Sequence, residues 1–147
     1  MPDQDMQHLL ATAVHDVLET MFFCEASDRC EPDTGAAQLE ARVAFSGAKS
    51  GSIHIEISEP SARDLAASFL GESEVSHSQV AQVVCELANM LCGSIVSKIE
   101  AQGCFDLGAP ELLIHPDEKT AHIAEIQQSF AIERGTLTVA LIPCIPA

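Results

Sequence analysis

Residues 80–93 read VAQVVCELANMLCG and lie inside one long amphipathic helix whose start and end can both be read from the sequence. Ser76 and Gln79 have the spacing of a capping box, which starts the helix at about residue 77. Gly103 follows a run without proline and suits a left-handed C-terminal cap. The predicted helix therefore has about 26 residues and a length of about 39 Å, enough to span a small domain.

The two flanks of this helix differ in polarity when residues are placed at 3.6 per turn. The apolar flank is predicted to be core and consists of Val80, Val83, Val84, Leu87, Leu91, Ile95 and Ile99. The opposite flank consists of Gln79, Gln82, Glu86, Asn89, Gly93, Ser97 and Glu100. A mid-helix glycine costs about 1 kcal/mol relative to alanine, so Gly93 indicates close approach by another backbone or by a partner.

Glu86 and Asn89 are three residues apart, point the same way, and form a candidate site that would complete the active site of another protein. A carboxamide both donates and accepts hydrogen bonds, so Asn89 can hold a water molecule in line with an electrophile. Glu86 can pair with a lysine or arginine of a partner and fix the docking register. In phosphoryl transfer, orienting the attacking water is a recognised role for a side-chain amide. Spacing alone favours a solvated helix face, because Glu-x-x-Asn is common by chance.

The stretch 80–93 resembles the signature helix of the CheC/CheX/FliY family of chemotaxis phosphatases, which dephosphorylate CheY-type response regulators. Residues 43–57, with Phe45-Ser46-Gly47 and Gly51-Ser52-Ile53, resemble the family's first strand pair. Residues 65–71 resemble its short following helix, and Phe105-Asp106-Leu107-Gly108-Ala109-Pro110 resembles the loop that leads back to the sheet. The resemblance covers residues 5–143 and is most specific over 80–110.

The number of copies of the motif indicates which type within this family the chain resembles. CheC-type members carry the motif on two related helices, whereas CheX-type members carry it once. The first helix here offers Glu19, but Phe22 stands three residues on in place of asparagine, so the chain resembles the single-site CheX type. The family often has Asp or Ser four residues before the glutamate, and this chain has Gln82, so the contacts around the pair and the rate are expected to differ.

The resemblance also implies roles for these residues. Asn89 would enter the partner's active site and orient water against its aspartyl phosphate, while Glu86 would contact the partner's active-site lysine. Gln82 and Gly93 would contribute to partner binding. Magnesium would belong to the response regulator, and the chain would need no cofactor or metal of its own. A homodimer is implied as well, and exposed edge strands invite pairing with a second copy.

Composition bounds the function further. The 147 residues fit a single CheX-like domain over 1–147. The formal net charge of −15, with seven Lys and Arg, argues against nucleic acid or an anionic membrane and favours a protein partner that presents lysine. The N-terminus Met-Pro-Asp-Gln-Asp is acidic, unlike a signal peptide, and no apolar run approaches the about 20 residues of a membrane span. We therefore expect a cytoplasmic protein that does not enter a membrane.

The six cysteines do not suggest a disulfide framework in such a protein. No Cys-x-x-Cys occurs, and the six histidines lack ligand spacing. Cys85 and Cys92 lie a heptad apart on the signature helix, which favours small buried or half-buried side chains. A redox switch is the alternative.

The remaining patterns predict an α+β fold, mainly an antiparallel β-sheet with two long helices packed on one face plus a short helix. Residues 4–24 have apolar residues at helical spacing. Alternation over 39–45 and 53–57, across a Gly- and Ser-rich turn, predicts a hairpin. The short helix begins near Pro60 and ends at Gly71.

Two further segments have weaker signals. Residues 27–35 are predicted to be a loop from their composition. Residues 111–115, 120–132 and 137–142, separated by turn residues, are predicted to form a three-stranded meander.

Two hypotheses from different classes follow. The first is a phosphatase of a phosphorylated response regulator, with Glu86 and Asn89 as its site. The second is a non-catalytic adaptor or sensory domain of the same fold that binds a regulator or a switch component. Gln82 and the missing second motif favour the second, and the intact pair favours the first more strongly. A redox sensor is a third, weaker hypothesis and would need a reactive thiol.

Overall fold

The computed structural model describes residues 2–29, 38–47, 50–99, 105–113, 126–132 and 134–143. Within them the chain forms three helices and seven strands. The helices are α1 (Pro2–Met21), α2 (Glu59–Leu70) and α3 (His77–Ile99). The strands are β1 (Ser27–Arg29), β2 (Gln38–Gly47), β3 (Gly51–Ser58), β4 (Phe105–Leu107), β5 (Glu111–Leu113), β6 (Ile126–Ile132) and β7 (Gly135–Pro143).

The strands form one antiparallel sheet. Six of them lie in the order β1-β6-β7-β3-β2-β4, and β5 also pairs with β2, next to β4 along that strand. The strands at the two edges have three residues each. Short edge strands of this kind limit the length of unpaired backbone available to another chain.

The cross-strand register gathers the apolar residues on the face that the helices cover. One row across the sheet joins Val43 to Ile53, Ile53 to Leu141, and Leu141 to Ile126. All four side chains are buried. Strand side chains alternate between faces, so every second residue of these strands joins the same core. Helices α1 and α3 pack on each other, α1 also on β6, α3 on β2 and β3, and α2 on β3 and β7. The predicted fold class is confirmed.

The helix ends have identifiable causes. Gly71 adopts φ 68°, and the amide of Glu72 donates to the carbonyl of Ala67 at 3.0 Å, which is the Schellman pattern expected after a helix C-terminus. Pro60 lies in the first turn of α2, so both predicted ends of this helix are confirmed. Helix α1 ends at Met21, earlier than the predicted residue 24, because Phe23 adopts a left-handed conformation with φ 54°.

Three predictions about the sheet were wrong. Residues 27–29 and 105–107, both expected in loops, are the short strands β1 and β4. Strand β5 pairs with β2 and does not join β6 and β7 in a meander. A three-residue strand has too little alternation to be recognised locally, and its partner is chosen by contacts remote in sequence. The rest of the predicted loop, residues 114–125 and the expected cap at Gly103 lie outside the described residues.

Helix α3 is long and apolar enough to cross a membrane by the criteria of length and composition, contrary to the expectation that no segment approaches a span. Half of its apolar stretch is buried inside the protein, however, where α3 packs between α1, α2 and the sheet. A helix that is apolar over most of its circumference is the normal core helix of a globular fold, so the pattern is weak evidence for a membrane.

Candidate functional site

The candidate site lies on α3, and the start of this helix is fixed by side-chain hydrogen bonds. The amide of Gln79 donates to Ser76 Oγ at 3.1 Å, and the amide of Ser76 donates to Gln79 Oε1 at 2.8 Å. This reciprocal pair is the predicted capping box. Gln79 Nε2 also donates to Glu72 Oε2 at 3.0 Å, and Arg63 Nη1 donates to the carbonyl of Val75 at 3.3 Å. The loop before α3 is thereby tied to the helix and to α2.

The buried side of α3 is broader than the predicted stripe. Six of the seven predicted core residues are buried, and Ile99 is half-buried against the core. The pattern missed Ala88, Cys92 and Val96, which are also buried. A helix that contacts two other helices and a sheet has to bury more than one narrow stripe. Helix α3 is consequently held on several sides, which fixes the direction of its remaining exposed face.

The polar residues of interest share that remaining face. Gln82 and Glu86 are exposed, and Asn89 and Gly93 are half-buried. We refer to these four residues as the site stripe. Within the described part of the chain, no hydrogen bond or ion pair joins Glu86 or Asn89 to another side chain. The carboxylate and the carboxamide are thus presented to the surroundings on a fixed helix.

Gly93 meets strand β4 at one end of the site stripe. A β-carbon at Gly93 would lie 3.7 Å from Leu107 Cδ1, an ordinary van der Waals distance. The neighbour is thus a side chain, whereas a close backbone approach was one of the two expected explanations. Alanine would fit here, so packing among the described residues does not require the glycine. Strand β4 is fixed in turn by its pairing with β2 and by a 2.8 Å hydrogen bond from the Gly108 amide to the Ala44 carbonyl.

Helix α1 lacks a comparable site. Glu19 is exposed, but Phe22, three residues later, is only 1% exposed. Its ring stacks on that of Phe69, with 5.0 Å between the ring centroids. The position that would carry an asparagine in a second motif is therefore used for packing against α2.

The cysteines of α3 favour the thiol form. Burial, together with the neighbouring carboxylate of Glu86, raises the pKa of the half-buried Cys85 thiol. Burial raises the pKa of Cys92 from its ordinary value of 9.0 to about 12. Because the thiolate is the reactive form, neither residue has the features of a redox sensor. The interpretation of both as small buried or half-buried side chains agrees with their burial. Cys30, Cys104 and Cys144 lie outside the described residues.

No group of three or more His, Cys, Asp or Glu in the described residues is arranged to hold a metal ion. The sequence reasoning did miss one residue beside the site, Leu107, which is 40% exposed. It was expected in a loop, and only the pairing of β4 with β2 brings it against α3. No local pattern could have placed it there.

An antiparallel sheet with two long helices and a short one on one face is the CheC-like class of α+β fold. Within that class, the family model described as "Chemotaxis phosphatase CheX" matches residues 39–132. The chain belongs to the CheX family.

Solved structures agree with the fold. The chain is similar to CheX from Desulfovibrio desulfuricans, with a TM-score of 0.76 and 21% identity over 95% of this chain and 99% of that one. It is similar to CheX from Vibrio vulnificus, with a TM-score of 0.75 and 21% identity over 94% and 95%. It is also similar to a chain of the CheX-CheY-BeF3-Mg2+ complex from Borrelia burgdorferi, with a TM-score of 0.73 and 21% identity over 94% and 97%. No curated protein matches the chain by sequence.

Proposed function

We propose that this protein hydrolyses the aspartyl phosphate of a CheY-type response regulator, and that Asn89 orients the attacking water. The observation that carries the proposal is the pair of exposed Glu86 and half-buried Asn89 on one face of a tightly packed helix, where neither side chain has a hydrogen-bond or ion-pair partner among the residues that the structure describes. Membership of the CheX family, whose description is chemotaxis phosphatase, supports the choice of reaction.

In the proposed hydrolysis, this chain mainly positions the attacking water and the phosphoryl group. Water attacks the phosphorus atom, the bond between phosphorus and the regulator's carboxylate oxygen breaks, and inorganic phosphate and the free aspartate are the products. The Asn89 amide oxygen accepts a hydrogen bond from the water, and its NH2 group can donate to a phosphoryl oxygen. Fixing the water in line replaces a random encounter by one oriented step, which is a large share of catalysis in phosphoryl transfer.

Glu86 is assigned the docking role. Its exposed carboxylate would pair with the lysine of the regulator's active site and set the position of Asn89. The net charge of −15 supports a partner that presents lysine. Gln82, exposed one turn before Glu86, and Gly93 complete the contact in this proposal. Magnesium would be held by the regulator, and the Borrelia burgdorferi complex contains CheY together with Mg2+.

The test measures the rate at which a phosphorylated CheY-type regulator from the same organism loses its aspartyl phosphate in the presence of Mg2+, with and without the purified protein. We expect acceleration by the wild type and a loss of about 100-fold or more in Asn89→Ala, because misplacing a reacting group has effects of this size. Glu19→Ala, an exposed position on α1, whose helix lacks the asparagine, is the control and should keep full activity. Circular dichroism should show unchanged folding in both variants.

If no cognate regulator is dephosphorylated faster, the proposal is wrong. An adaptor or sensory domain of the same fold would then be the better interpretation, and binding without turnover would identify it. A homodimer, a cytoplasmic location and the extent of the domain over 1–147 stay predictions, as do the absence of a nucleic-acid or membrane partner and of a cofactor of its own.

A further inference from the structure

Leu107 of β4 is an exposed apolar side chain beside the site stripe. It is 40% exposed, and its Cδ1 atom lies 3.7 Å from the position of a β-carbon on Gly93. The other exposed large apolar side chains in the described residues are elsewhere: Met21 and Phe23 at the end of α1, and Leu70 at the end of α2. Leu107 therefore differs from them in its position against the candidate site.

A typical protein interface is large enough to include both Asn89 and Leu107. Asn89 and Gly93 are four residues apart on one helix, which is a separation of about 6 Å along the axis. A standard interface covers about 800 Å² per partner, equivalent to a disc of about 16 Å radius. A regulator that docks over Asn89 therefore covers Leu107 as well. If Leu107 faced polar groups of the partner, its burial would add little to the free energy of binding.

We infer that Leu107 is an apolar anchor of the regulator-docking surface, seated against an apolar patch beside the partner's phosphorylated aspartate. This inference rests on the proposed function only for the identity of the partner. Interfaces combine apolar anchors with a polar and charged surround. Here Leu107 supplies the apolar contact, and the exposed carboxylate of Glu86 lies on α3, seven residues before Gly93. Gly93 has no side chain, so nothing projects between Leu107 and Asn89 at this position and the partner's surface can approach the helix backbone.

The alternative occupant of this surface is a second copy of the chain, since β4 is an edge strand. The regulator is favoured because Leu107 adjoins Gly93 of the site stripe, whereas the edge of β4 spans only three residues. So short an edge offers few backbone hydrogen bonds to a pairing strand.

The experiment separates docking from catalysis. The dissociation constant is measured for a CheY-type regulator held in its phosphorylated form by BeF3− and Mg2+, and kcat and KM are measured with the phosphorylated regulator. Leu107→Gln is compared with the wild type and with Met21→Gln, an apolar side chain 45% exposed on α1, which packs on β6 towards the edge of the sheet opposite β4. Thermal unfolding and sedimentation report on folding and on subunit association.

We expect Leu107→Gln to raise Kd and KM about 5-fold or more with little change in kcat, because part of the free energy gained by burying a leucine side chain is lost. Met21→Gln should match the wild type. Unchanged Kd in a folded Leu107→Gln variant would overturn the inference. So would a shift from dimer to monomer without a change in Kd, because the surface would then be a subunit contact. A wild type that binds without turnover, with weaker binding in Leu107→Gln, would retain the inference and reject the proposed catalysis. No binding by the wild type would reject both.

Discussion

Gly93 of α3 faces Leu107 of β4 across a gap that a methyl group would fill at ordinary contact distance, 3.7 Å from Leu107 Cδ1. Glycine is thus retained in the interior of a core helix where alanine would fit. Helix propensity alone favours alanine by about 1 kcal/mol. Under the proposed docking, these two residues link the stability of the fold to the access of the regulator.

Gly93→Ala is therefore expected to have opposite effects on stability and on docking. The free energy of unfolding should rise by up to about 1 kcal/mol, measured by urea unfolding. The added methyl group at the site stripe should raise the KM for the phosphorylated regulator. Ser94→Ala, on the next residue of the same helix, is the control for a general effect of alanine. A more stable variant with an unchanged KM would show that the partner does not approach Gly93.

Glu86→Gln tests the electrostatic part of docking. Removing the charge while keeping the shape should raise KM about 2- to 5-fold at low ionic strength, the range of an exposed ion pair. The difference from the wild type should shrink as salt is added, because exposed charges are screened over about 10 Å at 0.1 M. The matched control is Glu19→Gln, the exposed glutamate of α1 whose helix lacks the asparagine. Equal effects of the two substitutions would assign the change to net charge rather than to the site.

Ser76→Ala tests how much the capping box contributes to the fold. The substitution removes one of the two reciprocal hydrogen bonds with Gln79 and should cost about 1 kcal/mol. For a chain of this size, this corresponds to a fall of roughly 2–4 °C in the thermal midpoint. Ser78→Ala, one position inside the helix and exposed, should leave the midpoint within error or raise it slightly. A similar fall in both variants would contradict a specific role for the cap.

Cys92 predicts a loss of stability at alkaline pH. Its pKa in the folded protein is about 12 and lies above its ordinary value of 9.0, so the folded state holds the proton more tightly than the unfolded chain. This contribution is fully present below pH 9 and is lost as pH rises from about 9 towards 12. Urea unfolding at pH 8 and at pH 10 should show a smaller pH-dependent decrease in Cys92→Ala than in the wild type. Equal decreases in the two proteins would contradict the burial of this thiol.

Local patterns were sufficient where the physical signal is local. The capping box of α3, the proline and glycine that bound α2, and the β2–β3 hairpin follow from residues within a few positions of one another. The position of Glu86 and Asn89 on the same face of the helix follows from the helical repeat alone. The breadth of the buried surface on α3 was underestimated, because the number of neighbours around a helix is not encoded in the helix.

The sequence by itself determined the long central helix, the shared face of Glu86 and Asn89, the α+β class and, through its motif, the resemblance to the CheX family. Only the tertiary structure decided that β4 and β5 both add to β2, that Phe22 is used for packing, and that Leu107 lies against Gly93. The physical reason is the range of the interactions. Helix periodicity and caps act over a few residues, whereas short strands and surface neighbours are selected by packing between segments far apart in the chain.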